Sequence, residues 1–158
     1  PRPVGCMVGA LPWLVRRFDG RCRDFVVVLP RWRKDVVMGV VGIDHVQLAM
    51  PPGGEEAARD FYEGVLGIPE VPKPDRLAAR GGCWFESPPL RVHLGVEDGH
   101  RPARKAHPGL AVDDLAAFVD GLIAAGIEVQ DEGVVDGMHQ VYVSDPFGNR
   151  LELIERQR

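Results

Sequence analysis

Apolar and polar residues alternate with period two over Ile43–Met50 (IDHVQLAM). Ile43, His45, Gln47 and Ala49 share one face, and Asp44, Val46, Leu48 and Met50 the other, as in a half-buried strand. Pro51–Gly54 supplies a turn. The spacing then predicts a helix over Glu55–Leu66, with Ala58, Phe61, Tyr62, Val65 and Leu66 as its apolar stripe. Glu55 and Glu56 fall in its first turn, where the helix dipole favours anions, and Gly67 falls just past its end. Pro69, Pro72 and Pro74 mark a connecting loop. Strands are expected around Leu77–Arg80 and Cys83–Glu86, and over Leu90–Val96 (LRVHLGV).

After the polar loop Gly99–Lys105 the same order begins again. Pro108–Val112 reads as a strand, and Asp113 or Asp114 caps a helix that runs to Ala125 and stops at Gly126. Strands follow near Ile127–Asp131, Gln140–Ser144 and Arg150–Glu155. The last two are separated by Asp145-Pro146-Phe147-Gly148-Asn149, residue types suited to a tight turn.

Both halves therefore read β-α-β-β-β, and their residues agree in register. Phe61-Tyr62-Glu63-Gly64-Val65-Leu66 aligns with Phe118-Val119-Asp120-Gly121-Leu122-Ile123. Gly67-Ile68 aligns with Gly126-Ile127, and Arg91-Val92-His93-Leu94 with Arg150-Leu151-Glu152-Leu153. A unit of about sixty residues is thus used twice. The expected fold is α+β: two βαβββ modules, about 42–98 and 106–156, forming a curved, mostly antiparallel eight-stranded sheet around a concave face.

Corresponding positions of the two modules converge on that face. His45 corresponds to His107, and His93 to Glu152, so four metal-competent side chains occupy symmetric places. A carboxylate in an apolar closing strand is costly unless it is paired or metal-bound. Imidazoles with one carboxylate suit Fe²⁺, Zn²⁺, Ni²⁺ or Mn²⁺ better than Ca²⁺ or Mg²⁺. His93 has two readings, as a ligand or as a hydrogen-bonding group for substrate. His100 is expected in solvent, and His139 at a strand start on the surface or a pocket rim.

Composition sharpens the picture. With 45% hydrophobic residues, the 158-residue chain can bury a core, and no apolar run approaches the length of a membrane span. The net charge of −4 argues against nucleic acid as the main partner, but it is a composite. Residues 1–37 carry eight Lys/Arg against three Asp/Glu, a net of +5, and residues 38–158 carry a net of −9. The first segment, with one expected strand at Phe25–Leu29, reads as a basic extension, poorly ordered or upstream of a start at Met38. The functional domain is expected over 38–158. Cys6, Cys22 and Cys83 form no metal-type spacing and no disulfide framework, so a reducing, cytoplasmic compartment is expected.

Residues 42–156 resemble the vicinal oxygen chelate superfamily, which includes glyoxalase I, bleomycin- and fosfomycin-resistance proteins and extradiol dioxygenases. The resemblance rests on Ile43-Asp44-His45-Val46, on Phe61-Tyr62 through Leu66-Gly67, and on His107 leading into Ala111-Val112-Asp113-Asp114. Its most specific stretch is Asp145-Pro146-Phe147-Gly148-Asn149-Arg150-Leu151-Glu152-Leu153. It implies metal ligation by His45, His93, His107 and Glu152, although glyoxalase I usually carries Glu at the position of His93. It also implies a substrate that chelates the metal through oxygen, with Glu152 or His93 moving protons. Gln47, Trp84, Tyr142 and Arg150 are the expected substrate-binding residues. The expected function is a small metal-dependent lyase, isomerase or dioxygenase, acting as a homodimer on a small molecule. The alternative is a metal-free binding or sequestering protein of the bleomycin-resistance type.

Overall fold

The computed structural model describes residues 39–155. The chain divides into two units, Pro1–Val41 and Gly42–Arg158, and the second carries both modules. The basic segment and its expected strand at Phe25–Leu29 lie outside the described residues.

The first module comprises β1 (Val46–Met50), α1 (Glu55–Arg59), β2 (Glu70–Val71), α2 (Asp75–Ala78), β3 (Cys83–Ser87) and β4 (Leu90–Val96). The second comprises β5 (Gly109–Val112), α3 (Leu115–Ala124), β6 (Gln130–Val135), β7 (Met138–Ser144) and β8 (Arg150–Glu155). The strand orders are β1-β4-β3-β2 and β5-β8-β7-β6, so the two modules share one topology. In each, the opening strand lies parallel to the closing strand and the other pairs are antiparallel. The eight strands are divided between two mixed four-stranded sheets. Among the described residues no strand pairing joins the sheets.

The period-two pattern explains which face is buried. In β8, Leu151 and Leu153 are 0% and 1% exposed, whereas Arg150, Glu152 and Ile154 on the other face remain partly accessible. In β4, Val92 and Leu94 enter the core beside Phe85, Tyr62 and Met50. Asp114 caps α3 as expected, its carboxylate accepting the Ala117 N–H at 3.0 Å.

Two elements differ in type from the sequence reading, and the strand expected near Ile127–Asp131 lies later, at Gln130–Val135. The helix expected over Glu55–Leu66 is α-helical only to Arg59 and continues as a π-helix over Asp60–Val65. The wider turn buries Phe61 and Tyr62 together, and Leu66 then closes back on the Phe61 carbonyl. The strand expected around Leu77–Arg80 is the short helix α2, entered from extended Pro74 and followed by Gly81 and Gly82 at positive φ. The corresponding strand is Glu70–Val71, which pairs with Phe85 and Trp84. Gly82 is required on steric grounds too: a Cβ there would lie 2.2 Å from the Leu94 carbonyl oxygen.

A buried polar clamp joins the modules. Asp145 is 4% exposed, and one of its oxygens accepts the backbone N–H groups of Phe147 and Asn149 at 2.9 and 2.8 Å. The other accepts the Tyr62 hydroxyl at 2.9 Å and the Asn149 side-chain amide at 2.7 Å. The same amide nitrogen donates to the Ala49 carbonyl of β1 at 2.7 Å. The 145–149 turn of the second module is thereby pinned to the first strand and the helix of the first module.

Candidate functional site

The topology delivers the four metal-competent residues in two pairs. His45 immediately precedes β1, and His93 lies in the adjacent strand β4. Their rings stack at 4.4 Å with an interplanar angle of 24°. Trp84, directly across from His93 in β3, stacks on its other face at 4.1 Å and 6°. His107 leads into β5 and Glu152 lies in the adjacent β8, with His107 Nε2 3.4 Å from Glu152 Oε2. Among the described residues no three His, Cys, Asp or Glu side chains gather closely enough to hold one ion, so within the chain the four stand as two pairs, each a candidate half-site.

The second half-site has the donor chemistry a divalent metal needs. His107 Nδ1 lies 2.6 Å from the Lys105 carbonyl, which can only accept, so Nδ1 carries the proton. In the neutral ring Nε2 is then a lone pair facing a carboxylate oxygen. Two ligands ~2.1 Å from one ion in tetrahedral geometry are themselves about 3.4 Å apart, which matches the observed separation. Gly109 faces Glu152 across the strand pair, and a Cβ there would lie 3.3 Å from Glu152 Oε2. The glycine keeps that side of the carboxylate open.

The first half-site is arranged differently. His93 is 6% exposed, and its Nε2 has no hydrogen-bond partner. Burial, and then the charge of His45, hold its pKa below the ordinary imidazole value. The ring is therefore neutral at pH 7, with one nitrogen available as a lone pair. His45 Nδ1 lies 2.9 Å from Asp44, which fixes the proton there and frees Nε2. A chain of charges runs behind the pair. Asp44 contacts Arg91 at 3.0 Å, Arg91 contacts Glu86 at 3.5 Å, and Glu86 lies 3.6 Å from His93 Nε2. Sequence reading missed Asp44, Glu86 and Arg91. The signal that could have found them is the hairpin register, which sets Glu86 opposite Arg91. Nearly parallel imidazole planes do not aim both lone pairs at one point, so both rings can ligate one ion only after one of them turns.

The expected substrate-binding residues line these half-sites. Gln47 pairs in register with His93 and donates to the Leu48 carbonyl at 3.0 Å. Tyr142 pairs in register with Glu152, with its hydroxyl 3.4 Å from Glu152 Oε1 and its ring edge-on to His107 at 5.0 Å. Desolvation, then the Glu152 charge, hold the Tyr142 phenol above its ordinary pKa. The Arg150 guanidinium lies 3.9 Å above the Tyr142 ring. His139 is exposed and bound to Asp131 at 3.0 Å, as expected of a surface histidine. His100, expected in solvent, has a side chain only 6% exposed and bonds the Phe147 carbonyl at 3.1 Å. It belongs to the clamp around the 145–149 turn, a long-range contact that its polar neighbours in sequence do not reveal. Cys83 is a free buried thiol, pushed up to about 11 chiefly by burial.

The family model for the Glyoxalase/Bleomycin resistance protein/Dioxygenase superfamily matches residues 42–153. The chain belongs to this superfamily. Among solved structures, a glyoxalase family protein of Bacillus anthracis is 46% identical, with a TM-score of 0.74. That match covers 77% of this chain and 100% of the other. Two more distant solved structures share the fold. A lactoylglutathione lyase of Agrobacterium tumefaciens is 22% identical with a TM-score of 0.59, over 74% of this chain and 95% of that one. A fosfomycin resistance protein of Listeria monocytogenes is 15% identical with a TM-score of 0.62, over 75% and 96%. A search of curated proteins gives no match. No described helix of this superfamily member is long and apolar enough to cross a membrane.

Proposed function

We propose that this superfamily member is a divalent-metal enzyme acting on a small molecule that presents chelating oxygens, with its site completed in a homodimer. The His45–His93 half of one copy would face the His107–Glu152 half of the other. The observation that carries the reading is the His107–Glu152 pair, an imidazole nitrogen and a carboxylate oxygen 3.4 Å apart beside a bare glycine. A bound Fe²⁺, Zn²⁺, Ni²⁺ or Mn²⁺ would supply Lewis-acid stabilisation of negative charge on a substrate oxygen. His45, His107 and Glu152 would hold it, with His93 as a fourth ligand or as the acid–base group. Glu152 keeps one oxygen toward His107 and the other toward Tyr142, which orients it to accept or return a substrate proton. Trp84 and Gln47 flank His93 and wall the first half of the site. These roles support lyase, isomerase or dioxygenase chemistry.

Complementation tests the reading directly. One variant carries His45→Ala with His93→Ala, and the other His107→Ala with Glu152→Ala. Each alone loses bound metal by mass spectrometry. In mixed dimers a site shared between copies is restored once per dimer, because one pairing joins two intact halves. A wild-type protein that takes up none of the four metals, with no change in thermal stability, overturns the reading.

A second reading, a metal-free binding protein, is favoured by the Trp84–His93–His45 stack. Rings layered at 4.1 and 4.4 Å form an aromatic stack whose partly exposed outer members, Trp84 and His45, can extend it onto a planar ligand. An antibiotic binding protein of a Streptomyces species shares the fold at 21% identity and a TM-score of 0.60, over 76% of this chain and 99% of that one. Full retention of ligand binding in the chelated protein distinguishes this reading.

A further inference from the structure

A cavity of about 170 Å³ opens beside the second half-site. Ile127, Glu128, Gln130, Tyr142, Ser144 and Arg150 line it. Register places its polar side chains on one face: Gln130 is opposite Tyr142, Ser144 is opposite Arg150, and Tyr142 is opposite Glu152. The cavity is thus continuous with the face that carries Glu152.

Arg150 stands out by burial: among the described residues the other cations whose side chains make no ion pair or hydrogen bond, Arg76, Arg80, Arg101, Arg104 and Lys105, are exposed, whereas Arg150 is half-buried. Arg59 is paired with Glu70 at 2.7 Å, and Arg91 with Asp44 at 3.0 Å. Arg150 makes no ion pair and no side-chain hydrogen bond among the described residues. Its plane is instead held over Tyr142, which restrains the guanidinium without consuming its N–H donors. The setting is acidic, with Glu128 at the cavity lining and Glu152 two residues along β8, yet neither carboxylate reaches ion-pair distance. A half-buried cation with unused donors, in a domain whose net charge is −9, is a standing demand for an anionic partner.

Resting on the metal-enzyme reading above, we infer that the substrate is a small anion: its chelating oxygens face the His107–Glu152 pair, and a carboxylate- or phosphate-type oxyanion is held by Arg150 on its Tyr142 platform, with Ser144 alongside. Arg150 then fixes the substrate's orientation through its fork of donors. Neutral compounds with the same chelating group are discriminated against, because they leave the guanidinium unpaired.

The test compares two probes on Zn²⁺-loaded full-length protein by calorimetry: acetohydroxamate, a neutral chelator, and succinic monohydroxamate, which adds a carboxylate. The carboxylated probe is expected to bind at least about tenfold more tightly. Arg150→Met, which removes the guanidinium at similar side-chain length, should erase that difference between the probes; Arg150→Lys should keep part of it. Equal binding of the two probes by the wild type overturns the anion site and leaves the metal reading intact. If neither probe binds, the metal reading fails, and metal-free protein titrated with inorganic phosphate or acetate against chloride at equal ionic strength decides the anion site. A saturable shift of the Arg150 Nε–H resonance, absent in Arg150→Gln, sustains it and shows which oxyanion is preferred. No shift overturns it.

Discussion

At the scale of single residues, the informative side chains are the buried polar ones. Asn149 uses one amide group to satisfy Asp145 and the Ala49 carbonyl together. Asn149→Ala should cost about 2–4 kcal/mol in urea denaturation, because one buried and one partly buried acceptor lose their donor. Tyr62→Phe removes one donor from the same carboxylate and should cost about 1–3 kcal/mol. It should also change the response to alkali. Burial, then the Asp145 charge, hold the Tyr62 phenol far above its ordinary value. A raised folded pKa contributes stability that is fully present below the unfolded value, about 10, and is lost as pH rises past it. Wild type should therefore lose stability above pH ~10 with a steeper slope than Tyr62→Phe, by about 1.4 kcal/mol per pH unit. Turn chemistry was readable in Asp145–Asn149, but not the reach of that turn to Tyr62 and Ala49, 83 and 100 residues away in the chain. Such contacts leave no local periodicity.

At the scale of elements, the sequence located what amphipathic pattern controls. β8 begins and ends where alternation places it, and α3 starts at its Asp114 cap. Where pattern was weak, tertiary geometry decided. Leu77–Arg80 carries no clean alternation, and the adjacent glycines at positive φ turn the chain before a strand can form. Gly82 marks this junction. Gly82→Ala combines a strained φ of 85° with a clash into the Leu94 carbonyl, so a loss above about 2 kcal/mol is expected in urea denaturation. Gly67, also at positive φ but with open space around its Cβ position, should be less sensitive to alanine. The repeat relates the four candidate residues but does not say which of them are neighbours: the fold sets His45 beside His93 and His107 beside Glu152, because correspondence between modules fixes equivalent places and not their separation.

At the scale of the whole molecule, the site reading carries a thermodynamic signature. A metal that binds only the folded protein adds RT ln(1 + [L]/Kd) to its stability, about 2.7 kcal/mol at a hundredfold excess over Kd. Thermal unfolding of wild type should therefore shift upward with added Zn²⁺ or Ni²⁺, and His107→Ala with Glu152→Ala should abolish the shift. Light scattering of the same samples should give twice the monomer mass. The parallel pairing of opening and closing strands has a further consequence, for the order of synthesis. In each module the strand that begins the unit waits for the strand that ends it, so Gly109 meets Glu152 only after β8 has been made. A ribosome-bound chain can close its first sheet at Val96 while the second remains a hairpin short of its middle strand. A chain cut short after Ser144 would keep the first pair of histidines and never assemble the second half-site. The His107–Glu152 pair is thus set by a contact 45 residues apart in the chain and forms only after β8 has been made.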